Sequence, residues 1–405
     1  MNLNKIPSPC YVLDKNLLRR NLILMNRVKT EADVSIIVAF KGFSMWSAFA
    51  MVRHYLDGAT ASSLHEARLC FEEMKTLAHT YAAVYFPHDF KEIMEYSSHI
   101  SFNSLNEFHR YYPSVKSYKN HPISCGLRIN PEFSVVETDL YNPGKAGSRL
   151  GTAIENLGET LPEGIEGIHV HCLCESSAED TEGLLKSVEH KLGHFLKDIK
   201  WLNIGGGHLM TREGYDVEHL IKVLKEFRER HPHLELVLEP GSAVAWNTGF
   251  LLSKVLDIVD NHGIKTLMVD VSFTAHMPDT LEMPYRPRIR GASDPAQDPQ
   301  PPKGEHNVTV TDADGQTPPL GVGGLWLYRI GGTSCLSGDY MDFYSFENEV
   351  QVGDTLIFED MIHYTMVKTS MFNGVPHPSI GIITESDKFK LVRKFDYADY
   401  KNRLS

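Results

Sequence analysis

The position with the most chemical promise is Lys41, directly after the apolar run Ile36-Ile37-Val38-Ala39-Phe40. A strand of that composition, buried on both faces, delivers an amine to its C-terminal end. One reading is a lysine whose stem covers apolar surface while its ammonium stays in water. The other is a desolvated amine of depressed pKa, able to form a Schiff base with a carbonyl. The residue alone admits both. Asn203-Ile204-Gly205-Gly206-Gly207-His208 offers a second kind of site. Glycines after a strand let backbone N–H groups approach an anion, and a following helix N-terminus would add to the field. The same run also serves as a tight turn.

Glu239-Pro240-Gly241 ends another apolar run. Its carboxylate could bond a neighbouring loop or hold a proton on a heterocyclic nitrogen. In His169-Val170-His171-Cys172-Leu173-Cys174, strand alternation puts both histidines on one face and both cysteines on the other. The four cannot easily converge on one ion, so no structural zinc is expected. A two-histidine metal centre would need further ligands, of which Glu239 is the obvious one. Ser63-Leu64-His65-Glu66 has capping-box spacing and reads as a helix start. Gly332-Thr333-Ser334-Cys335-Leu336-Ser337-Gly338-Asp339 places a thiol in a polar, glycine-rich loop, four residues before an acid. Such a thiol could donate a proton. Tyr364 follows a strand and could pack or donate to an anion.

Positioning these groups requires strands that end beside them. Short apolar runs recur at Ser35–Phe40, Leu56–Thr60, Ala82–Phe86, Ile100–Asn103, Cys125–Asn130, Gly167–His171, Trp201–Ile204 and Glu235–Leu238. Segments with helical spacing lie between most of them, including Ser44–Tyr55, His65–Lys75, Leu184–Asp198 and Val217–Arg230. Eight strands alternating with helices predict an α/β fold, a (β/α)8 barrel, with an open doubly wound sheet as the alternative. A barrel demands chemistry just past the C-terminal ends of its strands. Lys41, His171, Gly205–Gly207 and Glu239 all fall there.

After Leu251 the helical periodicity fades, and strands appear at Thr266–Val271, Trp326–Ile330 and Thr355–Phe358. Residues 15–251 are expected to form the barrel. Residues 252–405, with 1–14 and the strand Cys10–Leu13, are expected to form a β-rich second domain. Ser293–Gly304 reads as a solvated insertion, and Val352-Gly353-Asp354 as a tight turn.

The composition narrows the function. The chain has 405 residues, enough for two domains, and a formal net charge of −12 with no basic run. Nucleic acid and anionic membrane are poor partners for it. No apolar stretch is long enough to span a bilayer, and Met1–Asp14 lacks a signal pattern. Six cysteines without framework spacing, beside 14 methionines, suggest a reduced cytoplasmic enzyme.

Taken together, these residues resemble the fold-type III pyridoxal-phosphate decarboxylases, the ornithine and diaminopimelate decarboxylase superfamily. Pro7-Ser8-Pro9-Cys10-Tyr11-Val12-Leu13-Asp14, Ala39-Phe40-Lys41-Gly42-Phe43, His276-Met277-Pro278-Asp279 and Leu281-Glu282-Met283-Pro284-Tyr285 are similar to its carboxynorspermidine/carboxyspermidine decarboxylase branch. The resemblance implies an alanine racemase-like barrel and a homodimer with shared active sites. Lys41 would hold pyridoxal 5'-phosphate, His171 would stack on its ring, and Glu239 would pair with the ring nitrogen. Gly205, Gly206 and Gly207 would cradle the phosphate, with Tyr364 adding a hydroxyl. Cys335 and Asp339 would come from the partner subunit, Cys335 to protonate the α-carbon and Asp339 to contact the substrate.

Asp270 occupies the position that binds the distal amine in ornithine-type enzymes. His276, Asp279 and Glu282 would be further contacts to a polyamine substrate. Two features depart from the ornithine-type pattern. Ser242 stands where an arginine follows Glu-Pro-Gly, and His171-Cys172-Leu173-Cys174 replaces His-x-Gly-Ser. Both argue against ornithine and diaminopimelate as substrates. An amino-acid racemase, a metal-dependent barrel hydrolase and a noncatalytic pyridoxal-phosphate carrier are the alternatives.

Overall fold

The computed structural model describes residues 3–136, 138–283, 285–295 and 326–405. The chain divides into two compact units, Leu18–Trp246 and Met1–Leu17 with Asn247–Ser405. Strand β1 (Cys10–Asp14) belongs to the second unit. The first unit holds β2 (Ser35–Ala39), β3 (Gly58–Ala61), β4 (Ala78–Tyr81), β5 (Ser97–Phe102), β6 (Ser124–Asn130), β8 (Ile165–His169), β9 (Trp201–Asn203) and β10 (Glu235–Leu238), with a two-residue β7 (Thr152–Ala153) beside β6. Their order is β5-β4-β3-β2-β10-β9-β8-β6, and pairing of β5 with β6 closes the ring. All eight ring pairings are parallel. The expected (β/α)8 barrel is therefore the fold.

Parallel strands covered by helices on one side and packed lumen on the other have no wet face. Accordingly β3 and β9 are buried throughout. The covering helices show matching local signals. Ala178–Leu196 starts in a reciprocal capping box between Ser177 and Asp180, and buries Leu184, Leu185, Val188, Leu192 and Phe195 at helical spacing. Val217–Arg230 starts where the Asp216 carboxylate accepts the His219 N–H. Ser63 caps Leu64–Leu69 as its spacing predicts, although the Glu66 carboxylate accepts from Ser62 N–H. Among the described residues, only short 3-10 turns and β7 link β6 to β8.

One barrel strand is displaced from its expected position. The third is Ala78–Tyr81, and Ala82–Phe86 is the loop beyond it. Val84 and Phe86 are 62% and 61% exposed there. The real strand is disguised by polar residues that the barrel satisfies internally. Thr80 bonds the Ser97 hydroxyl at 2.7 Å, and His79 stacks on His99 with ring centroids 3.9 Å apart. The loop sequence is apolar because Tyr85 folds back under it, donating to the carbonyls of Thr80 and Ser101.

The second unit is a sheet in the order β13-β15-β14-β12-β11-β1-β17-β18, with β16 also on β11. Its strands are β11 (Gly249–Asn261), β12 (Ile264–Val269), β13 (Ala292–Ser293), β14 (Trp326–Gly331), β15 (Tyr340–Phe346), β16 (Thr355–Glu359), β17 (Ser379–Ile383) and β18 (Phe389–Arg393). β1 lies antiparallel to β11 and parallel to β17, so the N-terminal strand joins this sheet. Cys10 and Val12 alternate into a core with Ile6, Phe250, Leu252, Ile357 and Ile383. The turn before β16 closes with Asp354 N–H on the Gln351 carbonyl and Gly353 at φ +97°. Of the expected insertion Ser293–Gly304, residues 296–304 lie outside the described residues. No helix among the described residues is long and apolar enough to cross a membrane.

The strand assignment is checked by mutation. Phe86→Ser is expected to change the unfolding free energy by less than about 0.5 kcal/mol in chemical denaturation. Tyr85→Ala is expected to cost about 3–5 kcal/mol. A large loss at Phe86 would put the strand back at 82–86.

Candidate active site

The barrel gathers Lys41, His171, Gly205–Gly207 and Glu239 past the C-terminal ends of β2, β8, β9 and β10. Lys41 follows β2 by two residues, where the chain turns with Gly42 and Phe43 N–H on the Ala39 carbonyl. A Cβ at Gly42 would lie 2.6 Å from the Gly241 Cα, so the loops carrying Lys41 and Glu239 touch backbone to backbone. By surface area the Lys41 side chain is exposed in the barrel mouth. Protein atoms nonetheless crowd it densely enough to strip part of its hydration. That loss, and then the charge of Arg128, lower its pKa from the ordinary lysine value, against the pull of Glu239 and Glu66.

Glu239 is buried, and burial raises its pKa. Asn203 opposes the shift by donating to Oε1 at 2.7 Å. The same asparagine accepts the Gly205 N–H at 2.8 Å, tying the carboxylate to the glycine loop. His169 Nε2 approaches Glu239 Oε2 at 3.7 Å. Burial, then Arg128 and Lys41, hold His169 far below the ordinary histidine pKa. That approach is therefore a neutral imidazole beside a carboxylate and not an ion pair.

His171 is likewise kept neutral by burial, Lys41 and Arg128. Its Nδ1 accepts the Gly206 N–H at 3.3 Å, which assigns the ring proton to Nε2. Gly205 and Gly207 have φ of +71° and +100°. Side chains there would strike the His171 ring at 2.5 Å and the Leu173 carbonyl carbon at 2.3 Å. The loop therefore has to be glycine. It does not run into a helix, because the next one begins at Val217, ten residues on. The expected helix dipole is absent from the loop itself.

His169, His171 and Glu239 offer donor atoms within 4.8 Å of one another, a spacing a metal ion could use. The charges nearby favour something else. Lys41 and Arg128 both bear on these three groups, so a dication would enter a positive field. An anion with a carbonyl carbon and a basic ring nitrogen fits better. It finds an amine of lowered pKa, a neutral imidazole, a buried carboxylate and a cradle too narrow for any Cβ.

The other expected residues lie in the sheet unit. Cys335 is the one exposed thiol of six free cysteines. Its N–H donates to Asn373 Oδ1 at 2.8 Å. Asp339 is buried and turns both oxygens inward, accepting the Ser334 and Thr274 N–H groups at 2.9 and 3.0 Å. It fixes the loop that presents Cys335. Asp270 accepts from the Ser253 hydroxyl and the Lys254 N–H. His276 is buried, with Nδ1 accepting the Ser272 N–H, and burial pushes its pKa down to about 4. Asp279 is buried and accepts from the Tyr285 and Thr365 hydroxyls at 2.8 Å. Glu282 pairs with Lys368 at the surface. Tyr364 is partly buried, edge-on to His363.

Sequence reasoning missed Arg128, Asn203 and the neutral role of His169. Arg128 left a signal, since an arginine in the middle of the apolar run Cys125–Asn130 has to face the lumen or be paired. Asn203 left none apart from its place at the end of a strand.

The chain is similar to known proteins along its whole length. The family model described as "Pyridoxal-dependent decarboxylase, C-terminal sheet domain" matches residues 10–362. A carboxyaminopropylagmatine decarboxylase of Synechocystis sp. is 50% identical over 402 residues, covering 99% of this chain and 96% of that protein. A carboxynorspermidine/carboxyspermidine decarboxylase of Campylobacter jejuni is 37% identical over 403 residues, covering 100% of both. The crystal structure of a Campylobacter jejuni carboxynorspermidine decarboxylase complexed with norspermidine superposes with a TM-score of 0.84 at 35% identity, covering 98% of this chain and 100% of that one. The chain thus belongs to the pyridoxal-dependent decarboxylases with a C-terminal sheet domain.

Proposed function

We propose that the chain uses pyridoxal 5'-phosphate to decarboxylate carboxynorspermidine or carboxyspermidine, releasing norspermidine or spermidine and carbon dioxide. The observation that carries this is the meeting of Lys41, neutral His171, the glycine loop and Glu239 at one barrel mouth. The norspermidine-bound relative supports the substrate class. A second reading is favoured by the 50% identical Synechocystis protein, named for carboxyaminopropylagmatine. Its substrate shares the carboxylated aminopropyl head but ends in a guanidinium where the triamines end in an ammonium.

Bound pyridoxal phosphate supplies an electron sink for the charge left on the α-carbon as carbon dioxide departs. Lys41 holds it through an amine whose lowered pKa leaves more of it uncharged than an ordinary lysine. Glu239, fixed by Asn203, keeps a proton on the ring nitrogen. His171 covers one ring face without adding charge. Gly205, Gly206 and Gly207 take the phosphate, and Tyr364 adds a hydroxyl. Each carbon dioxide released consumes one proton at the α-carbon. Cys335 donates it from a second copy of the chain, and Asp339 holds the thiol's loop in place. The exposed Leu336, Tyr340 and Phe372 near Cys335 support such a homodimer. We assign Asp270, Asp279, Glu282 and His276 to the substrate's cationic tail.

The substrate assignment is tested by supplying all three carboxylated amines and identifying products by mass spectrometry. Carboxynorspermidine and carboxyspermidine are expected to be turned over with selectivities within about 1–3 kcal/mol, since they differ by one methylene. Turnover of carboxyaminopropylagmatine alone establishes the second reading, and no carbon dioxide from any of them contradicts both.

Cys335→Ala is expected to lower turnover about 100- to 10,000-fold, the worth of a general acid. Cofactor uptake, followed by absorbance, is expected to stay unchanged. The uncharged amine is the reactive form of Lys41, so uptake by the cofactor-stripped chain quickens as the pH rises. Because that pKa is lowered from 10.5, the rate is expected to level off before the ordinary lysine range. A rate that still climbs beyond about pH 10 contradicts the shift.

A further inference from the structure

Tyr81 is the last residue of β4, and the roles proposed above leave it out. Its contacts define its place. The guanidinium carbon of Arg128 lies 4.6 Å from the centre of its ring. The His169 ring meets it edge-on, with centroids 5.1 Å apart and planes at 87°. Its hydroxyl donates to Asn103 Oδ1 at 2.8 Å. Asn103 is itself held, since the same oxygen accepts the Gly151 N–H at 2.7 Å and Nδ2 donates to the Arg149 carbonyl at 3.0 Å. The ring is therefore pinned at its far end beneath Arg128.

Arg128 depends on that ring. It lies within β6 and is buried, and among the described residues no carboxylate stands within ion-pair distance of it. Nη2 donates to the His171 carbonyl at 3.2 Å. A buried guanidinium is costly to desolvate. The negative face of an aromatic ring offsets part of that cost, and more so where water is excluded. A carboxylate in the same place would cancel the charge, whereas a ring face holds it uncancelled. That charge bears on Lys41 from β6, and Glu239 and Glu66 oppose it from beyond β10 and β3. Cys174, His169 and His171 are the other titratable groups that face the amine, all from β8 and the loop after it.

We propose that Tyr81 is a positioning residue for the amine of Lys41, acting through Arg128: its ring seats the guanidinium in the barrel lumen without neutralising it. The inference takes from the function proposed above only the use of Lys41 as an amine. Positive charge beside an ammonium disfavours it, so more of the amine stands uncharged at a given pH. The uncharged form is the one that attacks a carbonyl carbon. A leucine in place of Tyr81 would leave the guanidinium without its seat. The head group would then follow its flexible stem toward water, and its effect on Lys41 would fall with distance and hydration.

The test uses the full chain stripped of cofactor, as wild type, Tyr81→Phe, Tyr81→Leu, Arg128→Gln and the double variant of the last two. Each is labelled with fluorodinitrobenzene across a pH series, and the rate at Lys41 is read by peptide mass mapping. Tyr81→Leu is expected to raise the midpoint of the Lys41 profile by about half to one pH unit, the effect of a partly withdrawn neighbouring charge. Arg128→Gln is expected to raise it at least as far. Tyr81→Phe keeps the ring and loses only the Asn103 bond, so its midpoint is expected to match the wild type. In the double variant, Tyr81→Leu is expected to add nothing to Arg128→Gln. Tyr81→Met, ringless and of similar bulk, carries the same comparison where Tyr81→Leu fails to fold. An unchanged midpoint in the ringless variants overturns the proposal. So does an equal rise in Tyr81→Phe, which assigns the effect to the hydroxyl. A further rise in the double variant also overturns it, since Tyr81 then acts apart from Arg128. A wild type that takes up no pyridoxal 5'-phosphate, while the variants give the expected midpoints, contradicts the function proposed above and leaves this inference standing.

Discussion

A carboxylate buried at the end of a barrel strand tends to pick up a proton and lose its use. Most of what surrounds Glu239 works against that tendency. Asn203 donates to one oxygen, and Lys41 and Arg128 supply positive charge. The neighbouring imidazoles are kept neutral, so they compete with neither. Asn203 also grips Gly205, and the Glu239 N–H bonds the Gly205 carbonyl at 2.8 Å, so the carboxylate and the glycine loop are held as one piece. Through the Gly42–Gly241 contact the same piece is joined to the loop of Lys41. Groups at the ends of three separate strands are thereby held together by the Asn203 side chain and by a backbone approach that only glycine permits.

In the sheet unit, hydrogen bonds to the backbone hold the loop that exposes Cys335. Asp339 spends its carboxylate on backbone N–H groups around Cys335, and Asn373 holds the Cys335 N–H. The loop is pinned by these bonds and its thiol is exposed. The other thiols are sheltered, and burial pushes those of Cys10, Cys70, Cys125 and Cys172 up to about 12, beyond use as nucleophiles or acids. Asp279 and His276 show the same economy in the core of the unit, where the Tyr285 and Thr365 hydroxyls and the Ser272 N–H engage them.

Much of this was legible in the sequence. Strand ends carry the chemistry in a parallel barrel, so Lys41, the glycine run and Glu239 could be placed together from their position alone. The pairing of His169 with His171 on one face followed from alternation. The third strand was misplaced because β4 carries His79 and Thr80, whose polarity is cancelled by His99 and Ser97 across the barrel, while an apolar loop follows it. Such cancellation is tertiary and leaves no local trace. The same holds for Arg128, which has no carboxylate partner among the described residues, a property no single segment can show. The glycine run invited a helix dipole that the structure does not place there, since His208 is drawn back to Thr181 and the chain turns before the helix at Val217.

The proposed role of Lys41, at the mouth of the barrel, is to carry the cofactor. It is tested most directly by recording the absorbance spectrum of the purified chain with pyridoxal phosphate, before and after borohydride reduction, and mapping the modified peptide. A visible band that collapses on reduction and a single label on Lys41 are expected. A chain that stays colourless with added pyridoxal phosphate, or a label on any other lysine, would contradict it.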